Sequence, residues 1–123
     1  MSTVYGSVGG QPFFDALVDR FYERVEADAV LRPLYPDDLG PGKRALALFL
    51  AQYWGGPTSY SDEKGHPRLR MRHGGFVIGR RERDAWHAAM SASVRAAGLE
   101  PDVEQQLLDY FAMAADHLVN HPG

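Results

Sequence analysis

Apolar residues recur at helical spacing in four stretches of the chain, and polar positions fill the intervals. After Pro12, which suits a first helical turn, Phe13, Leu17, Val18, Phe21 and Val25 share one face, with Tyr22 beside the stripe. Leu46, Phe49, Leu50 and Tyr53 form a second face, stopped by Gly55-Gly56-Pro57. A third helix is predicted over 81–97, aligning Trp86, Met90 and Val94 and ending at Gly98. The fourth starts after Pro101 and turns Val103, Leu107, Phe111, Ala114 and Leu118 inward. No stretch alternates as a half-buried strand does. The pattern predicts an all-α chain.

Between these helices the signals are shorter. Thr3 to Val8 fits one turn before Gly9-Gly10, and Asp28 is placed to cap a turn or two that Pro33 and Pro36 limit. Gly40-Pro41-Gly42 reads as a break before the second strong helix. From Thr58 to Gly65 the apolar period is lost, which predicts an irregular segment. Pro67 to His73 fits a short helix ended by Gly74-Gly75. A long irregular segment that leads to a histidine points to function.

A length of 123 residues predicts one domain with a single core. Hydrophobic content of 45% with 24% charged residues fits a soluble globular protein. The net charge of −3 provides no basic field, so nucleic acid is not expected as a partner. Cysteine is absent, which excludes disulfides, thiolate–zinc sites, iron–sulfur clusters and thioether-linked haem. Any protein ligand to iron must then be His, Met or Tyr. No apolar run reaches the length of a membrane span and no leader pattern opens the chain, so a cytoplasmic location is expected.

The candidate chemistry centres on Gly65-His66-Pro67-Arg68-Leu69-Arg70-Met71-Arg72-His73. A neutral imidazole near a helix terminus can present a nitrogen to a metal or a haem iron. His66 and His73 cannot share one ion on a helix, because seven helical residues span about 10 Å and each nitrogen must lie about 2 Å from the metal. Spacing alone leaves His73 as a single axial ligand or as no ligand. His87, His117 and His121 read as solvated or partly packed, and His66 as a capping or loop residue. Tyr22, Tyr35 and Trp86 admit two readings. They are core rings with satisfied polar edges, or donors converging on an acceptor such as dioxygen. The arginines before His73 are a solvated face, or partners of haem propionates, with Arg72 adjacent to the histidine. Serines 59, 61, 91 and 93 lack an arranged base, and neither glycine pair forms a phosphate-binding loop.

Taken together, the chain resembles the group II truncated haemoglobins over nearly its full length. The likeness is carried by Phe21-Tyr22, Leu34-Tyr35-Pro36, the run from Phe49 to Pro57, the run from Gly65 to His73, and Arg83-Asp84-Ala85-Trp86. It implies a shortened globin with two helices packed over two others around non-covalent haem b. It implies His73 as the proximal iron ligand, Tyr22 and Tyr35 as distal tyrosines, and Trp86 as the tryptophan that marks the group. Leu46 and Phe49 match residues lining the distal side of the haem. Gly42 falls closest to the distal histidine of full-length globins, which suggests an open approach at that edge. After the ligand stands Gly74-Gly75-Phe76, where relatives often carry a proline.

The function so implied is reversible binding of oxygen and other diatomic ligands, with Tyr22, Tyr35 and Trp86 slowing oxygen release. An enzymatic rival is peroxide cleavage or nitric oxide oxidation, which needs an external reductase because nothing in the chain binds flavin or nicotinamide. A haem-free helical interaction module is the third reading, and it predicts a colourless protein. Self-association into a homodimer stays open.

Overall fold

The computed structural model describes residues 3–64 and 78–119. Among them it contains α1 (Val4–Ser7), α2 (Gln11–Ala27), a 3-10 turn (Arg32–Leu34), α3 (Gly40–Tyr53), α4 (Ser59–Lys64), α5 (Arg80–Arg95) and α6 (Pro101–Leu118), and no strand. The short helix and glycine pair expected over 67–75 lie outside the described residues.

Two helix pairs make the body. Helix α2 packs on α3 and on α5, and α5 packs on α6. This is the two-over-two helix arrangement that the resemblance implies. Phe14, Leu17, Val18, Phe21 and Val25 of α2 are buried, and they meet Leu50 of α3, Met90 and Val94 of α5, and Leu107 and Phe111 of α6 in one core. Burying side chains of this size contributes about 1.5–3 kcal/mol each. A few polar bonds fix how the helices sit. The Gln11 side-chain amide donates to the Ala47 carbonyl at 3.2 Å, and Arg20 Nε donates to the Ser93 carbonyl at 3.3 Å. Buried Ser93 is itself satisfied, donating to Ala89 O at 2.8 Å. At the start of α5 the Glu82 carboxylate accepts from the Gly79 N–H at 2.9 Å, closing its first turn.

Four features differ from the pattern-based expectation, each for a local reason. Gly40-Pro41-Gly42 is the first turn of α3 and not a break, because a proline there gives up only an N–H that has no partner in a first turn. Residues 59–64 are helical although their apolar period is weak. Gln52 clamps that helix to α3, donating to Ser61 Oγ at 2.8 Å and accepting from the Ser61 N–H at 3.0 Å, and Tyr60 is 2% exposed. Tyr53 points outward, 51% exposed, while Ala47 and Ala51 take the inward places. Phe14 and Ala115 are buried where Phe13 and Ala114 were expected; Phe13 lies edge-on to Phe14 at 5.1 Å.

Just past the end of α3 stands Gly55, whose φ of +107° a side chain would strain. The next glycine makes room for the amino-terminal turn. A methyl group on Gly56 would stand 2.5 Å from the Tyr5 ring, and the Tyr5 N–H donates to the Trp54 carbonyl at 3.0 Å.

Candidate functional site

Tyr22, Tyr35 and Trp86 come from three elements. Tyr22 sits on the inner face of α2 and is 4% exposed. Trp86 lies in the second turn of α5. Tyr35 follows the 3-10 turn, whose shape is set by polar side chains. Asp28 Oδ1 accepts from the N–H groups of Val30 and Leu31 at 2.8 and 3.0 Å. Arg32 then holds the exit, its guanidinium donating to the carbonyls of Tyr35, Pro36 and Asp37 at 3.1–3.3 Å.

The three side chains meet. The Tyr22 and Tyr35 rings stand edge to face, with centroids 5.6 Å apart. Phe21 lies edge-on to Tyr22 at 5.4 Å and to Trp86 at 5.8 Å, which closes the group from behind. Trp86 also bonds to Tyr35; as the indole has only an N–H to offer, it donates and the phenol oxygen accepts. Burial pushes the Tyr22 hydroxyl up to about 12. It pushes Tyr35 up further, with added repulsion from Tyr22 and partial opposition from the Trp86 bond. Both phenols therefore keep their protons at any physiological pH, and each remains a donor.

Gly42 adds a steric element. A methyl group there would stand 2.9 Å from the Tyr22 hydroxyl oxygen. The volume that a side chain would occupy is thus held by the phenol. Phe49 of α3 is buried against Tyr60 at 5.4 Å, and Leu46 is half-buried one turn earlier. Two phenol O–H groups, an indole N–H and nearby apolar side chains suit the face of a haem where a small polar ligand binds. His73 and Arg72, expected to hold the iron and a propionate, lie outside the described residues. So does His66. Of the other basic residues, Arg83 is engaged by Asp84 and Asp116 at 2.9 and 2.8 Å. His87 Nε2 lies 3.4 Å from Ser91 Oγ. A surface groove of about 330 Å³ between α2 and α3 is lined by Asp15, Asp19, Lys43 and Arg44, and none of the three distal side chains reaches it.

The sequence pattern did not reveal Arg32 or Tyr60 as parts of this region. Arg32 precedes a proline and looked like any exposed cation. Its signal is visible only once the chain reverses and three carbonyls turn toward one side chain.

Comparison with known proteins identifies the family. Residues 3–120 match the model of the bacterial-like globin family. The chain belongs to the bacterial-like globins, among the group II truncated haemoglobins. This truncated haemoglobin is 40% identical over 111 residues to the group 2 truncated haemoglobin of Bacillus subtilis (strain 168), covering 90% of this chain and 84% of the relative. Its fold is similar to the haemoglobin of the thermophilic phototroph Chloroflexus aurantiacus, with a TM-score of 0.96 and 50% identity over 98% of this chain and 100% of that one. It is also similar to an oxygen-avid truncated haemoglobin from Bacillus subtilis, with a TM-score of 0.90 and 39% identity over 97% of this chain and 100% of that one. As a globin it is a haem-binding protein whose ligands are diatomic gases. No helix among the described residues is long and apolar enough to cross a membrane.

Proposed function

We propose that this globin binds dioxygen and releases it slowly, because Tyr22, Tyr35 and Trp86 donate hydrogen bonds to the ligand. The observation that carries the reading is the convergence of two protonated phenols, from α2 and the 3-10 turn, with the Trp86 indole of α5, whose N–H would turn from the Tyr35 oxygen to the ligand. Non-covalent haem b, the form open to a chain without cysteine, supplies an iron position for a diatomic ligand. His73 would hold the iron through a ring nitrogen. Arg72 would pair with a propionate, and Leu46 and Phe49 would line the distal side.

The donors act on charge. A diatomic ligand that gains partial negative charge on binding would be stabilised by a preplaced O–H or N–H, which need not first give up bonds to water. A hydrogen bond to a charged acceptor contributes about 1.5–3 kcal/mol, and 1.4 kcal/mol is a factor of ten. Two donors would therefore slow release by about a hundredfold or more. Strong retention is also what the oxygen-avid relative is described by, and that protein shares the fold. Slow release suits a sensor, scavenger or redox catalyst better than a carrier that must unload.

The test is stopped-flow oxygen dissociation from the haem-loaded protein. Replacing both Tyr35 and Trp86 with Phe should raise the rate about a hundredfold. A rate unchanged by the double substitution defeats the account of the donors. For the proximal side, a His73→Ala variant that takes up haem with an unaltered spectrum would defeat the ligand assignment.

A further inference from the structure

Arg32 directs its charge at the backbone of the turn that carries Tyr35. Nη1 donates to the carbonyls of Tyr35 and Pro36 at 3.2 and 3.1 Å, and Nη2 donates to that of Asp37 at 3.3 Å. Arg83, by contrast, pairs with the carboxylates of Asp84 and Asp116. Two carboxylates follow Arg32 closely in the chain, at Asp37 and Asp38, yet neither pairs with it among the described residues. Asp38 Oδ1 accepts instead from the Gly40 N–H at 3.0 Å, and Asp37 offers Arg32 its carbonyl.

Both backbone polar groups of Tyr35 therefore end on one residue. Its N–H donates to the Arg32 carbonyl at 3.2 Å, and its own carbonyl accepts from the Arg32 guanidinium. Pro36 disfavours the helical alternative for Tyr35, whose ψ is 152°. The root of the side chain is fixed by these contacts. Its far end meets the Trp86 indole, and its ring stands against Tyr22 with centroids 5.6 Å apart. A small tilt at the root is magnified at the hydroxyl, which is the far end of a long, rigid side chain. A directed interaction keeps its strength only if it is held to within about 0.5 Å. The planar guanidinium, tied to three successive carbonyls, supplies that restraint.

We propose that Arg32 is a positioning residue that makes the pocket selective for oxygen over carbon monoxide, by fixing the direction of the Tyr35 hydroxyl. The proposal rests on the oxygen-binding reading above. A donor favours a ligand according to the negative charge that the ligand gains on binding. Oxygen gains more of it than carbon monoxide does. A misdirected hydroxyl therefore weakens the hold on oxygen and leaves carbon monoxide almost unaffected, whereas a loosened pocket wall acts on both gases alike.

The experiment uses the full haem-loaded chain with Arg32→Ala and Arg32→Lys, each alone and combined with Tyr35→Phe. Dissociation of oxygen and of carbon monoxide is followed by stopped flow, and the stretching band of the CO form by infrared spectroscopy. Arg32→Ala should raise oxygen dissociation by about tenfold, the worth of one donor. Carbon monoxide dissociation should stay at the parent value, while the infrared band shifts or broadens, because its frequency responds to the local field even where the rate does not. Lysine keeps the charge but cannot span three carbonyls, so Arg32→Lys should fall between the parent and Arg32→Ala. Combined with Tyr35→Phe, neither substitution should move the oxygen rate or the band further, since the hydroxyl through which it acts is gone. An oxygen rate unchanged by Arg32→Ala, an equal rise with and without the Tyr35 hydroxyl, or a parallel rise for both gases overturns the positioning role. If Arg32→Ala takes up no haem, the same comparisons made with Arg32→Lys decide. Tyr35→Phe alone separates the two claims. Where it speeds oxygen release and the arginine variants do not, only the positioning role falls; where it leaves release at the parent rate, the place of Tyr35 among the donors falls and the positioning role with it.

Discussion

Two clusters in this globin have the same composition and opposite construction. The inner one holds Tyr22, Tyr35 and Trp86, and the outer one holds Tyr53, Tyr110 and Trp54. In the inner cluster the polar atoms are brought together: Trp86 bonds to Tyr35, and the two phenols stand close enough to repel as anions. In the outer cluster the rings are brought together, with Tyr53 and Tyr110 only 4.3 Å apart, and the Trp54 N–H is left without a partner. Residue type alone therefore says little about role. An enclosed group of convergent donors is costly unless an acceptor arrives, whereas stacked rings are stabilised by their own contact.

The largest expected effect comes from exchanging equivalent residues between the clusters. Trp86→Phe should speed oxygen dissociation by about tenfold or more, since it removes one donor from the ligand. Trp54→Phe should leave that rate at the parent value. Equal effects of the two substitutions would show that the inner arrangement has no special bearing on the ligand.

Gly42 tests whether placement matters as much as chemistry. A methyl group there conflicts with the Tyr22 hydroxyl, and the hydroxyl is the end of a side chain that can swing. Gly42→Ala keeps all three donors but displaces one. Oxygen dissociation should rise by no more than about tenfold, the worth of a single misdirected bond. A shift in the carbonyl stretching frequency of the CO form should accompany it. An unshifted band with parent kinetics would mean that Tyr22 does not need its place over Gly42.

How much of this could be read from the chain depends on what each part rests on. The four long helices rest on apolar period, which is local, so they were legible to within a residue or two except at the first turn of α3, where Gly40-Pro41-Gly42 reads as a break. Helix α4 rests on the Gln52–Ser61 clasp and on one buried ring, which are tertiary, and its own residues look like a loop. Tyr53 fits the apolar face by spacing, yet the alanines at 47 and 51 let α3 approach its neighbours on a slightly rotated side. At the site, residue types and the family likeness singled out Tyr22, Tyr35 and Trp86. Their convergence was one of two readings left open by residue type, because it depends on the Arg32 turn and on the missing side chain at Gly42.

Alkaline pH separates the clusters by stability. Tyr22 titrates at about 12 when folded, against about 10 in an unfolded chain. Between those values the folded state retains a proton that the unfolded state has lost. Stability is thus full below about pH 10 and declines as pH rises through 12. Tyr35 and Tyr110 shift in the same direction. Chemical denaturation of the haem-free chain at pH 9 to 12 should show this decline. Tyr22→Phe with Tyr35→Phe should flatten it more than Tyr110→Phe, because two coupled phenols are removed in one case and one in the other. A flatter curve from Tyr110→Phe would reverse the ranking of the clusters.

The smallest effect is expected at Trp54. Its buried N–H lacks a partner, and leaving a donor so costs about 1–3 kcal/mol. Trp54→Phe removes that cost but also removes part of a ring packed on Tyr53 and Tyr110, a loss of similar size when a core side chain is shortened. The two should nearly cancel, leaving unfolding free energy within about 1 kcal/mol of the parent. Trp86→Phe has no such compensation, because its N–H faces the Tyr35 hydroxyl and is not left buried without a partner. If denaturant midpoints show Trp54→Phe to be the more damaging of the two, the outer cluster owes its place to packing against that indole, and the contrast between convergent donors and stacked rings no longer explains the pair.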